Sequence, residues 1–292
     1  MRMNRPPVQK KCIIRSCAIH CAKEREAMKA KIHGAELAYD DHGAGYPIIF
    51  LHAFPLHRSM WKPQIEALLS EQHYRLVALD WRGFGESEIN VNVATMELFA
   101  DDVAALMDTL GMQNTILCGL SMGGYAAFAF LRKYPQRVRG LILADTRPGA
   151  DTSEGKANRE KVALLAETRG TDAIADLHIP KLLSEYTRQH QPEVELRVRQ
   201  MINTATIQGI AAASRGMVVR SDASELLSTI TCPTLVIVGE QDSLTPPAVA
   251  QEYAAQIPGA QYTVIPLAGH LSNLEQPELF LNAMRNFLRS SF

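Results

Sequence analysis

The stretch "ILCGLSMGGYAAF", residues 116–128, sets a lone hydroxyl among small residues. Ser121 has Gly119 two positions before it and Gly123 and Gly124 just after, with apolar residues on both sides. The preceding "TILCG" (115–119) is a short continuous apolar run, the pattern of a strand covered on both faces. The following "MGGYAAFAFL" reads as a buried helix. Flanking residues without bulk let other backbone cross close to such a strand-to-helix turn, and the turn lifts the hydroxyl clear of the sheet's end. The N–H of Met122 and the positive end of the helix would then face an oxyanion formed beside Oγ. Taken alone, the Gly-x-Ser-x-Gly pattern serves equally well as a small-residue helix start that Ser121 caps.

The rest of the chain separates these readings. "PIIFLH" (47–52), "YRLVALD" (74–80), "GLILAD" (140–145), "PTLVIVGE" (233–240) and "QYTVIPL" (261–267) are further strand-like apolar runs. "IHGAELAYDDHG" (32–43) reads as an antiparallel pair leading in. Helical stretches lie between them at Met60–Ser70, Met96–Leu110, Met122–Tyr134, Pro246–Ile257 and Pro277–Arg289. Short strand-to-helix connections of this kind build parallel βαβ units. The alternation breaks once. From about Arg147 to Ser221 no strand pattern occurs, only helical ones such as "REKVALLAETR" and "EVELRVRQMI". The sequence therefore predicts an α/β protein: a mostly parallel central sheet, helices on both faces, and a helical cap inserted after the sixth strand. The expected organisation is a core of residues 29–146 and 222–292 with the cap at 147–221, over the sheet edge where open α/β sheets bind ligands.

Composition sets outer limits. The chain has 292 residues, 47 % of them apolar, ample for a large core. A formal charge of −1 gives no general reason to expect nucleic acid or membrane as a partner. Residues 1–29 carry eight Lys/Arg against two Glu, a local +6 that leaves about −7 on the remainder. The first 28 residues have no clear period, and Arg15 and His20 interrupt their only apolar patch, which argues against a secretory signal. They read as a disordered basic extension, with Met28 an alternative start. Cys12, Cys17 and Cys21 are irregularly spaced and lack a matching second pair, so no metal site is expected. Cys118 and Cys232 sit in apolar runs as small core hydrophobes. Five cysteines without a disulfide framework point to a reducing, cytoplasmic setting. No transmembrane span is present.

A serine hydroxyl is a weak nucleophile and needs a base, which needs an orienting acid. His270, in "LAGHLSNLEQPE", follows the last strand; Asp242, in "VIVGEQDSLTPP", follows the one before. Both loops open on the same sheet edge as Ser121, and the order Ser–Asp–His, each after its own strand, fits one architecture. Asp145 in "LADT" is a rival for the acid, one strand after Ser121. The second oxyanion donor should come from "HAFPLHRSMW": the N–H of Phe54 first, that of Ala53 second. His52 is read as stiffening that loop. Asp80 and Arg82 in "LDWRGFGES" are read as architectural.

Together "LHAFPL", "LDWRGFGES", "GLSMGG", "VGEQD" and "GHLSNLEQPE" resemble the α/β-hydrolase superfamily. The likeness is greatest to small bacterial serine esterases: arylesterases, cofactor-free haloperoxidases and 3-oxoadipate enol-lactonases. It runs from about Lys29 to Phe292 and weakens through the insertion, which in this superfamily is a variable cap. The resemblance implies Ser121 as nucleophile, Asp242 as acid, His270 as base, and the N–H groups of Phe54 and Met122 as oxyanion hole. One departure is Ala53, where the family often has Gly. If that position needs φ > 0, Ala costs about 1 kcal/mol or shifts the loop. Haloalkane dehalogenases and epoxide hydrolases of this fold use Asp as nucleophile, which Ser121 argues against.

The expected function is hydrolysis of small, mainly apolar carboxylic esters through an acyl-enzyme, with no cofactor and no metal. The candidate pocket wall is Leu177, Ile179 and Leu183 from the insertion and Leu244 from the sheet edge, enclosing short acyl groups. Arg147 and Arg215 could turn inward and favour an anionic substrate instead. Alternatives on the same triad are enol-lactone opening, C–C bond hydrolysis, and acyl transfer or perhydrolysis. An alternative of another class is a non-catalytic ligand-binding protein on the same fold.

Overall fold

The computed structural model describes residues 27–292. All but the last two residues of the basic extension, with Cys12, Cys17 and Cys21, lie outside the described residues. The sheet begins at Met28, one residue before the expected core boundary at Lys29, and Met28 already pairs with Tyr39.

Eight strands form one sheet: β1 (Met28–Ile32), β2 (Ala35–Gly43), β3 (Tyr46–Leu51), β4 (Tyr74–Leu79), β5 (Thr115–Leu120), β6 (Val138–Ala144), β7 (Thr234–Gly239) and β8 (Gln261–Ile265). Their spatial order is β1-β2-β4-β3-β5-β6-β7-β8. The β1–β2 and β2–β4 pairs are antiparallel, and every pair from β4–β3 to β7–β8 is parallel. All six residues of β5 and of β7 are buried, as the unbroken apolar runs require of central parallel strands.

The crossover helices are α1 (Lys62–Leu69), α2 (Met96–Thr109), α3 (Met122–Lys133), α8 (Pro247–Ala254) and, at the end of the chain, α10 (Pro277–Ser291). They cover both faces of the sheet, α2 packing with α3 and α1 with α10. The helix expected from Met60 starts instead as a 3-10 turn, Arg58–Trp61, and turns α-helical where Pro63 fits a first turn that needs no N–H. A short helix, α9 (Ser272–Glu275), precedes α10.

Between β6 and β7 the chain is helical: α4 (Ser153–Leu182), α5 (Glu185–His190), α6 (Pro192–Thr204) and α7 (Ile207–Val218). Helix α4 is not continuous. Gly170 breaks it at φ 76°, a left-handed conformation that glycine adopts without strain. The two halves fold onto α7 and α6, and Ile174, Val198, Ile202 and Ile210, fully buried, join the same hydrophobic core as the sheet. Three of the four helices begin with a side-chain cap: Thr152 on Gly155, Ser184 on Thr187 and Thr206 on Gly209.

Beneath the carboxyl edge, the loop after β4 is held by buried charge. Asp80 accepts from the Arg58 guanidinium and from the backbone N–H groups of Arg58 (2.7 Å) and Glu86 (3.0 Å). Burial nonetheless pushes the Asp80 carboxyl up to about 6. Arg82 forks onto both oxygens of Asp102, each at 2.6 Å.

Candidate active site

Ser121 stands between β5 and α3 at φ 55°, ψ −113°, a conformation that costs a non-glycine residue about 1–3 kcal/mol. Its neighbours explain why the turn holds. A Cβ on Gly119 would come within 2.4 Å of the Gly123 carbonyl oxygen, and one on Gly123 within 2.0 Å of the Leu51 carbonyl oxygen on β3. The glycines are therefore required by backbone crossing the turn. The Ser121 N–H donates to the Ala144 carbonyl at the end of β6 (3.0 Å), and the Ser121 carbonyl accepts from Gly124 and Tyr125 N–H and the Thr146 hydroxyl.

The three residues expected to act together lie together. Ser121 Oγ is 2.7 Å from His270 Nε2, and His270 Nδ1 is 2.8 Å from Asp242 Oδ2. Asp242 Oδ1 also accepts from the N–H groups of Leu244 (2.8 Å) and Thr245 (3.0 Å), and Oδ2 from the Thr245 hydroxyl. Burial alone would raise the Asp242 carboxyl. The charge of His270 and these donors outweigh it and hold the group below the usual carboxylate range. Burial would likewise lower His270, but Asp242 beside it, with Asp145 and Glu275 further off, raises it above the ordinary imidazole value. The rise of one and fall of the other express the same attraction.

The His270 loop is braced from three directions that the sequence reading missed. The Leu182 carbonyl, at the end of α4, accepts from the N–H groups of His270 (3.0 Å) and Leu271 (3.2 Å). The buried Glu275 carboxylate accepts from the N–H groups of Ser184 (2.8 Å), Gly269 (2.9 Å) and Leu271 (3.2 Å). The Ser272 hydroxyl donates to Asp145 Oδ2 (2.5 Å), whose other oxygen accepts from the Gly239 N–H (2.8 Å). Asp145 is fully buried, and burial together with the Asp242 charge pushes its carboxyl well up. It does not hydrogen-bond His270 as a rival acid would; it ties the loop that carries His270 to the strand that leads to Asp242.

On the oxyanion side, neither the Phe54 nor the Met122 N–H donates to a protein acceptor among the described residues. Ala53 does not adopt positive φ, so alanine there carries none of the cost a left-handed residue would. Its N–H points to the Met60 sulfur (3.3 Å), which leaves Phe54 as the freer donor. His52 Nε2 accepts the Trp81 N–H (2.9 Å), so its proton sits on Nδ1, 2.9 Å from the Ala53 carbonyl. Burial pushes His52 down to about 3, keeping it neutral as it stiffens the loop.

The four candidate wall residues divide. Ile179 and Leu183 are buried in the packed core, whereas Leu177 and Leu244 stay 36 % and 37 % exposed. A groove of about 490 Å³ runs between the loop after β3 and α6, lined by His57, Lys62, Glu66, Arg197, Gln200 and Met201 among others, and none of the four borders it. Arg215 pairs with Glu160 and Glu167, and Arg147 with Asp151, so both arginines are engaged within the insertion. One residue near the site had not been singled out. His178, between Leu177 and Ile179, sets its ring edge-on to that of Phe54, centroids 5.5 Å apart. Its Nε2 is sealed from solvent and has no hydrogen-bond partner among the described residues, a condition that costs about 1–3 kcal/mol. Burial, with Arg159, Lys181 and His270 nearby, pushes it down to about 3.

An eight-stranded sheet with a strained serine after β5, an acid after β7 and a histidine after β8 defines the α/β-hydrolase class. The chain belongs to that family: the family model described as "alpha/beta hydrolase fold" matches residues 46–277. It is 30 % identical over 244 residues to 3-oxoadipate enol-lactonase 1 of Acinetobacter baylyi, covering 83 % of this chain and 88 % of that one. A thermophilic esterase from Thermogutta terrifontis, solved with malate bound, superposes with a TM-score of 0.88 at 46 % identity, covering 91 % of this chain and 99 % of that one. An enol-lactonase from Burkholderia xenovorans superposes with a TM-score of 0.83 at 30 % identity, covering 90 % and 100 %.

Proposed function

We propose that the protein is a serine-dependent carboxylic ester hydrolase acting on small, mainly apolar esters through an acyl-enzyme. The observation that carries this reading is the unbroken run from Asp242 through His270 to Ser121 Oγ, at 2.8 and 2.7 Å, on a strained turn. Ser121 Oγ attacks the ester carbonyl carbon as His270 Nε2 takes its proton. Asp242 keeps the remaining imidazole proton on Nδ1 and stabilises the imidazolium. The N–H groups of Met122 and Phe54 receive the charge that develops on the carbonyl oxygen, and donors fixed beforehand need no reorganisation to do so. The tetrahedral intermediate collapses, the C–O bond to the alcohol breaks, and the alcohol leaves with the proton from His270. Water then attacks the acyl-enzyme by the same steps and frees Ser121 and the acid.

A neutral substrate is favoured by the engagement of Arg147 and Arg215 with carboxylates of the insertion. On this reading the partner is a small-molecule ester, with neither nucleic acid nor membrane involved. Among the described residues no helix is long and apolar enough to cross a membrane. The free thiols of Cys118 and Cys232 suit a cytoplasmic setting. The similarity to two enol-lactonases supports a second reading, opening of a cyclic ester, in which the leaving oxygen stays attached to the acyl chain. The test is hydrolysis of short p-nitrophenyl esters beside an enol-lactone, by the parent and by Ser121→Ala. The first reading expects turnover of the linear esters that falls by several orders of magnitude in the variant. Turnover of the lactone alone would favour the second. Undiminished turnover by Ser121→Ala would reject both.

A further inference from the structure

Asp242 Oδ2, the oxygen that faces His270 Nδ1 at 2.8 Å, is shared with a third group. The hydroxyl of Thr245, three residues on, lies within hydrogen-bond reach of the same oxygen and 3.4 Å from Nδ1. Thr245 is 1 % exposed, so its proton needs a protein acceptor. Nδ1 carries a proton of its own in the tautomer that leaves Nε2 free to accept from Ser121, and Asp242 Oδ2 is therefore the acceptor. Oδ1 meanwhile accepts from the N–H groups of Leu244 and Thr245. A carboxylate offers about four lone-pair sites, and each oxygen here meets two donors. The direction of the hydroxyl follows. Its hydrogen lies between Oγ1 and Oδ2, and Oδ2 is nearer to Nδ1 than Oγ1 is, so the positive end of the O–H dipole is turned toward the imidazole. Valine has the same branched outline as threonine, so packing alone does not call for the hydroxyl.

We propose that Thr245 is a positioning residue that tunes the base: its hydroxyl occupies Asp242 Oδ2 beside the Nδ1 proton, limits how strongly Asp242 holds the imidazolium, and so keeps His270 free to take the Ser121 proton at a lower pH than the Asp–His pair alone would allow. This rests on the ester-hydrolase reading, in which His270 is the base, and adds to it a residue that touches neither substrate nor serine. A donor on an ionised carboxylate stabilises its charge. Charge stabilised from the Thr245 side leaves less to stabilise the imidazolium from the other, and the nearer, positive end of the hydroxyl dipole acts in the same sense. The same donor also keeps the Nδ1 proton on the ring when Nε2 is protonated, because a carboxylate with four donors is a weak base. The charged groups around His270 are Asp242, Asp145 and Glu275, which raise it against burial, and His178 of α4 lies nearby, itself kept neutral. Of these only Asp242 bonds Thr245, so a change at Thr245 leaves the others in place.

The test is the pH dependence of kcat/KM on p-nitrophenyl acetate for the parent, Thr245→Val and Thr245→Ser. The position of the acid limb does not depend on how much of a variant is folded, so a loss of stability alone cannot move it. In Thr245→Val the limb should move to higher pH by about half a unit to one unit, which on its acid side is a loss of about three- to tenfold beyond any change at the plateau. Thr245→Ser, which keeps the hydroxyl, should return the limb toward that of the parent. A second readout needs no turnover. In Ser121→Ala the Nδ1 proton of His270, identified by its loss in His270→Gln, is followed by proton NMR across the titration, and adding Thr245→Val should raise the midpoint to a similar extent. A limb or a midpoint that stays in place or falls in Thr245→Val would overturn the proposal, as would a Thr245→Ser variant that behaves like the valine one. A parent without ester turnover would instead reject the ester-hydrolase reading, while the NMR midpoint would still decide whether Thr245 sets the charge state of His270.

Discussion

Asp145 accepts a 2.5 Å hydrogen bond from the hydroxyl of Ser272, two residues beyond His270, and a 2.8 Å bond from the N–H of Gly239, three residues before Asp242. One buried carboxyl at the end of β6 thus joins the segments that carry His270 and Asp242. Two carboxyls share this region, and their surroundings drive them apart: Asp145 upward, chiefly by burial, and Asp242 downward, because His270 and its donors overcome burial.

Asparagine is therefore expected to discriminate between them. Asp145 accepts from Ser272 and Gly239 and touches neither His270 nor Ser121, and Asn keeps its size and one accepting oxygen. Asp145→Asn should lower kcat on a short p-nitrophenyl ester by less than about tenfold. Asp242→Asn should lower it by about 10⁴-fold, because the amide can favour the wrong imidazole tautomer. Steady-state kinetics on the two purified variants decides. The reverse ranking would move the acid to the end of β6.

The pH profile follows from the same pair. On the proposed mechanism the reaction needs neutral His270, so kcat/KM rises as its proton leaves. Asp242 raises the imidazole, and the acid limb of the parent should lie above the ordinary value of about 6.5. Removing that charge in Asp242→Asn takes away the largest opposition to burial, and the limb in the residual activity should move to lower pH. A limb that stays in place would mean that Asp242 does not set the charge state of the base.

Glu275 should matter as much to stability as to rate. Its carboxylate holds three N–H groups, those of Ser184, Gly269 and Leu271. Glu275→Ala strands them, and at about 1–3 kcal/mol for each buried orphan the loss should reach on the order of 3 kcal/mol. Glu275→Gln keeps one accepting oxygen and should fall between. Urea denaturation of the three proteins measures this, and an alanine variant as stable as the parent would remove Glu275 from the brace.

The sheet was readable because its central strands are unbroken apolar runs, and the order of serine, acid and histidine follows once each run is taken as a strand with a functional loop at its end. The bracing was not readable. Ser272 and Glu275 share one short helix and Asp145 ends a distant strand, and nothing in the local pattern of "GHLSNLEQPE" or "LADT" shows which polar residue is turned inward. The insertion was readable as helical and no further. An amphipathic period marks a buried face without saying what covers it, so the break at Gly170 and the facing of His178 onto Phe54 emerge only from the packing. For the same reason the four wall residues were chosen by hydrophobicity alone, and two of them, Ile179 and Leu183, turn out to be packed in the core.

Acyl-chain length tests the enclosure. Each buried methylene gains about 0.8 kcal/mol, while overfilling a closed site costs about 1–3 kcal/mol. The kcat/KM on p-nitrophenyl esters should peak between acetate and hexanoate and fall beyond. Ile179→Ala and Leu183→Ala should shift the optimum toward longer chains only if their side chains border the acyl group; Leu177→Ala and Leu244→Ala provide the comparison from more exposed positions. A parent that prefers palmitate would contradict an enclosed site.

Covalent chemistry at Ser121 underlies every step proposed here, and trapping the acyl-enzyme examines it at the atom concerned. The parent is mixed with p-nitrophenyl butyrate, quenched in acid within milliseconds, and analysed by intact mass and peptide mapping. A butyryl adduct is expected on the peptide containing Ser121, accumulating with a burst of p-nitrophenol when deacylation is the slower step, and absent from Ser121→Ala. A butyryl group mapped to any other residue, or an adduct of equal amount in Ser121→Ala, would contradict it.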